Sequence, residues 1–86
     1  MSQLSQLKAQ INQIANNIGQ TAVAMNSFSQ NLQQQIGAVS NAIGGTASNE
    51  DQQMVAALQL AVKSVQDAAV QLQTASTKAK DWAAKA

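Results

Sequence analysis

The apolar residues of this chain recur at alternating steps of three and four on either side of one glycine pair, and that spacing leaves few folds open. Leu4, Leu7, Ile11, Ile14, Ile18, Met25, Phe28 and Leu32 form the first stripe, with Thr21 in its one gap. This is the heptad pattern of a helix that packs along its length on another helix. After Leu32 the stripe moves to Ile36, Val39 and Ile43, and the two consecutive steps of four read as a stutter. Met54, Leu58, Ala61, Val65, Ala68, Leu72, Ala75, Ala79 and Trp82 repeat the plan without a miss. The spacing predicts helices over about residues 3–43 and 49–85, roughly 60 and 55 Å long at 1.5 Å per residue. Such equal lengths let an antiparallel hairpin cover itself from end to end. The expected fold is all-α, a single coiled-coil-like hairpin over residues 1–86.

The break between the helices carries its own chemistry. Gly44 or Gly45 can take the positive φ that closes a helix C-terminus. Ser48 can cap the next helix, with Asp51 three residues on in capping-box spacing. Glu50 and Asp51 sit at the positive end of that helix, and Lys78, Lys80 and Lys85 near its negative end. The turn is therefore assigned to about 44–48, on Gly44, Gly45 and Ser48. Gly19 and Gly37 each cost the first helix about 1 kcal/mol relative to Ala, and mark close helix approach, a tolerated weak spot or a hinge.

Composition narrows what such a hairpin can do. Charged residues are 10% of the 86, against about 25% in an ordinary soluble domain, so amides and hydroxyls supply the polar surface. Cys, His, Arg, Tyr and Pro are absent. Without Cys or His the usual nucleophile–base pairs and nitrogen- or sulfur-ligated metal sites cannot be built. The carboxylates at Glu50, Asp51, Asp67 and Asp81 form no pair placed for acid–base work. No catalytic, cofactor or metal site is expected. A net charge of +1 is too small for a nucleic-acid footprint. Neither a secretory leader nor an apolar run long enough for a membrane span is visible.

Packing the helices around residues 46–47 sets Ile36 opposite Leu58, Phe28 opposite Val65, Met25 opposite Ala68 and Ile18 opposite Ala75. Trp82 then falls near Leu7 and Ile11 and is expected to be buried there. A second stripe lies beside this seam: Ala15, Ala22, Ile36 and Ile43 on the first helix, Val55, Val62 and Ala69 on the second. A lone hairpin buries one strip per helix and is marginal by itself. Ile36, Ile43, Val55 and Val62 are therefore expected to meet a partner, either a second copy or a related hairpin, in a four-helix bundle.

The arrangement resembles the small secreted helical hairpins with a Trp-x-Gly turn that are handled by type VII secretion systems. The resemblance is architectural and covers the whole chain. Ile43-Gly44-Gly45 stands where that family carries Trp-x-Gly, with Ile43 in place of Trp and Gly45 matching the motif Gly. The family's tail signal, Tyr followed four residues later by an acid, has no counterpart, since the residue four beyond Trp82 is Ala86. The resemblance implies a non-enzymatic protein exported without a cleaved signal, acting as a homo- or heterodimer. Two other readings stand beside it: a cytosolic structural coiled-coil subunit, and an amphipathic membrane-adsorbing protein, the latter disfavoured by sparse Lys.

Overall fold

A computed structural model describes residues 2–44 and 48–86. Two helices, α1 (Gln3–Ile43) and α2 (Asn49–Lys85), pack against each other along their length. The chain is an all-α antiparallel hairpin, and its Cα trace measures 68 × 16 × 13 Å.

Local chemistry sets the ends. The Ser2 side chain accepts a hydrogen bond from the Ser5 backbone N–H at 3.2 Å and opens α1. Gly44 closes it with φ 66° and ψ −151°, and its N–H donates to the Ser40 carbonyl. That backbone region belongs essentially to glycine, so Gly44 could not be exchanged for a larger residue without strain. Gly45 lies outside the described residues. At the start of α2 the Asp51 N–H donates to Ser48 Oγ at 3.2 Å, and the Ser48 N–H donates to Asp51 Oδ2 at 3.1 Å. This reciprocal pair satisfies two backbone donors that a helix N-terminus otherwise leaves open.

The seam between the helices differs from the one read in the sequence. Its buried residues are Ala15, Ala22, Ser29 and Ile36 on α1, and Val62, Ala69, Ser76 and Ala83 on α2, each seven residues from the next. Half-buried Ile11, Ile18, Met25, Leu32 and Val39 complete the α1 row, and Leu58, Val65, Leu72 and Ala79 that of α2. With this row included, α1 keeps an unbroken alternation of four and three from Ile11 to Ile43. The expected stutter is absent, because Ala15, Ala22 and Ser29 stand in the positions assigned to Ile14, Thr21 and Phe28.

Small side chains explain the choice. They let the two backbones approach closely, which recovers dispersion contacts along the whole seam. The approach is close enough that the Ser76 hydroxyl donates to the Ala15 carbonyl at 2.8 Å, inside the interface. A Cβ built on Gly19 would lie 3.3 Å from the same Ser76 Oγ. Gly19 is thus a close-approach glycine, whereas Gly37 faces open space. The Ala15–Ser76 contact also replaces the expected register. Stepping by heptads in opposite directions sets Ala22 level with Ala69 and Ser29 level with Val62.

The two buried serines are not equivalent. Ser76 has its carbonyl partner, while Ser29 Oγ is buried with no hydrogen-bond partner. Removing a satisfied hydroxyl loses a bond worth about 0.5–1.5 kcal/mol, whereas removing an unsatisfied one relieves a desolvation cost. Ser76→Ala should therefore lower the urea-unfolding free energy by about 1 kcal/mol, and Ser29→Ala should leave it unchanged or raise it. Equal losses in the two variants would contradict the seam as described.

Candidate functional site: an apolar face and a polar face

Placing small residues in the seam leaves the large ones outside it. Leu7, Ile14, Thr21 and Phe28 form one row of α1, spaced by heptads and lying one residue back from the line of Ala15, Ala22 and Ser29. Met54, Ala61, Ala68, Ala75 and Trp82 lie one residue back from Val55, Val62, Ala69, Ser76 and Ala83 on α2. Antiparallel helices packed in this way are related by a local two-fold axis, so equal offsets from the buried rows emerge on the same face. That face joins both rows to the half-buried Ile11, Ile18, Met25, Leu58, Val65 and Leu72. Leu4, Leu7, Ile14, Phe28, Met54 and Trp82 are exposed on it, Phe28 at 55%.

The opposite face has another character. One residue forward along α1's flank come Ser5, Asn12, Gly19, Asn26, Gln33 and Ser40; α2 contributes Gln52, Gln59, Gln66, Gln73 and Lys80. Open depressions on this side are walled by Gln33, Gly37, Ser40, Gln59, Lys63 and Gln66, and nearer the open end by Asn16, Gly19, Gln73 and Lys80. Amides there are solvated and need no covering. Val23 and Val70, one residue forward of Ala22 and Ala69, are exposed on this same side, where Val23 lines one of the depressions, and Leu60 is exposed elsewhere.

The residues first assigned to a partner need correction. Ile36 and Val62 are only 8% and 5% exposed, both buried inside the hairpin, and Ile43 and Val55 are half-buried at the same seam. The hairpin itself covers Ile36 and Val62, and leaves Ile43 and Val55 partly exposed in an open depression beside the turn. Of the stripe read as the helix–helix seam, Ile11, Ile18, Met25, Leu32, Leu58, Val65, Leu72 and Ala79 remain half-buried there, while Leu4, Leu7, Ile14, Phe28, Met54 and Trp82 supply the exposed flank. Trp82 also departs from expectation: it is 44% exposed, and Ala83 takes the buried position beside it. The tight seam has no room at that level for an indole, which therefore sits on the apolar face.

Among the described residues there is no group of three or more His, Cys, Asp or Glu side chains that could hold a metal ion. No helix among them is long and apolar enough to cross a membrane. The apolar face is the candidate functional surface. No protein-family model, curated protein or solved structure matches the chain.

Two truncations separate the seam from the face. Removing buried Ile side-chain atoms costs about 2–5 kcal/mol, so Ile36→Ala should destabilise the hairpin by an amount in that range in thermal or urea unfolding. Ile14→Ala, at a side chain 51% exposed, should cost the isolated hairpin far less. A larger loss for Ile14→Ala than for Ile36→Ala at concentrations where the chain is monomeric would reverse the assignment.

Proposed function

We propose that this chain is a non-enzymatic association module, a helical hairpin that works by packing its apolar face on a helical partner to form a four-helix bundle. The observation that carries the reading is the contiguous exposed row of Leu4, Leu7, Ile14 and Phe28 beside Met54 and Trp82. Contiguous apolar surface of this kind has a use in folded proteins, most often as a protein interface. Two flat hairpins meeting on their apolar sides complete the four-helix architecture that a single pair of helices lacks.

The wider setting we propose is a type VII-like secretion system, with the hairpin exported by it or accompanying an exported partner. Support comes from the chain's likeness in length and central glycine turn to the small hairpins of those systems. A pairing module suits that setting, since an exported hairpin can travel folded with its partner. A structural coiled-coil subunit retained in the cytoplasm would use the same face, and the two are told apart by where the protein is found.

Phe28→Gln combined with Ile14→Gln replaces apolar contact area with amides while leaving the buried seam intact. The double variant should stay helical by circular dichroism. In the producing cell, the native chain should appear in culture supernatant without lysis and disappear from it when the secretion ATPase is inactivated; the double variant should accumulate inside. Native protein found only in the cytoplasm would sink the export reading. Equal export of the double variant would sink the role of the apolar face.

A further inference from the structure

We propose that the turn half of the hairpin carries a second latch, unfastened in this structure, and that the helices close on each other there when the Ser29 hydroxyl donates to the Val62 carbonyl. The latch follows from a symmetry internal to one chain, and it stands whether or not a partner covers the apolar face.

The buried residues of α1 have counterparts on α2 at one constant separation in sequence. Ala15 corresponds to Val62, Ala22 to Ala69, Ser29 to Ser76 and Ile36 to Ala83, each pair 47 positions apart, and all eight are buried. The half-buried row keeps the same offset, from Ile11 and Leu58 to Leu32 and Ala79. Since Ala22 is level with Ala69, a two-fold axis at that level exchanges the helices and carries each residue onto its counterpart. The Ser76–Ala15 hydrogen bond of the open half therefore has an image in the turn half, from Ser29 to the Val62 carbonyl. The first is made at 2.8 Å. The second is missing, and Ser29 Oγ is buried without a partner.

The residues that break the symmetry explain the difference. Gly19 stands against Ser76, where a Cβ would lie 3.3 Å from Ser76 Oγ, close enough to push the hydroxyl aside. The image of Gly19 is Gln66, which carries that Cβ against Ser29. Val62 in the place of Ala15 adds two methyl groups. Both side chains hold Ser29 off an acceptor with capacity to spare, since a carbonyl oxygen has two lone pairs and the helix uses one. Closing needs a small shift that carries the Gln66 Cβ clear of Ser29. The open depression walled by Gln33, Gly37, Gln59 and Gln66 leaves room for it, and Gly37 has nothing within 4 Å of where its Cβ would be. A desolvated hydroxyl without a bond gains by making one, so the closed arrangement is a second state of the same seam. Phe28 and Ala61 precede Ser29 and Val62 on the apolar face, and closure narrows that face at the turn half.

Relaxation-dispersion NMR on the full, isotope-labelled chain reads this exchange directly. A closed state populated at ~0.1–10% should broaden the amides of Ser29, Val62 and Gln66 on the μs–ms timescale of such motions. The amides of Ala15, Gly19 and Ser76, already fastened, should stay sharp. Ser29→Ala should abolish the broadening, because only the closed state uses that hydroxyl. No exchange in the native chain, or exchange that survives Ser29→Ala, overturns the proposal. A second comparison uses Gln66→Gly, which gives the turn half the glycine that the open half has at Gly19 and should fasten the latch. Ser29→Ala placed in that background should raise the unfolding constant about 5-fold, the equivalent of one hydrogen bond of about 1 kcal/mol, whereas in the native chain it should not raise it. The cost of the new glycine is common to both members of the pair and cancels. An unfolding constant unmoved by Ser29→Ala in the Gln66→Gly background would also overturn the latch.

Discussion

Everything else in this hairpin depends on the close packing of a row of small residues. Ala15, Ala22 and Ser29 lie level with Ser76, Ala69 and Val62 at intervals of one heptad, and the Ser76 hydroxyl reaches the Ala15 carbonyl across the seam at 2.8 Å. Such a bond forms only when two backbones lie close, and it fixes their register because a shift of one residue would break it. Close packing in turn expels bulk. With no room between the helices for Ile14, Phe28 or Trp82, these side chains gather on one side, and the amides of Asn12, Gln33, Gln59 and Gln66 gather on the other. A facially divided hairpin follows from a seam too tight for its own large residues.

The helices were legible in the sequence and the seam was not. Ser48 with Asp51, the glycine pair and the two runs of alternating spacing mark α1 and α2 at Gln3–Ile43 and Asn49–Lys85, because caps and breakers act locally. The seam requires choosing between two rows that flank Ile11, Ile18 and Met25. Ranking by hydrophobicity picks Ile14 and Phe28 over Ala15 and Ser29. The fold picks the reverse, since dispersion along two closely approaching backbones outweighs the transfer free energy of a few larger side chains that another surface can cover. Gly19 was the clue to this, because a glycine opposite Ser76 marks where the helices come closest. The same inversion moved Ile36 and Val62 from the partner surface to the interior, and Trp82 from the interior to the face.

The functional reading joins these physical facts to a chain with little other chemistry. A seam of alanines and serines buries modest apolar area, so the hairpin gains from a partner more than a domain with a full core would. Its apolar face offers a flat surface near the length of the molecule, and its scarcity of charge lets contact be governed by shape.

The central claim is that the large apolar row is an interface and the small one is the fold. Sedimentation equilibrium of the purified chain over a wide concentration range, with circular dichroism on the same samples, tests it most directly. The account predicts a species of twice the 9.0 kDa chain mass that dissociates on dilution into a monomer still largely helical. A monomer at all concentrations, whose helicity and stability are unaffected by Phe28→Gln with Ile14→Gln, would contradict it.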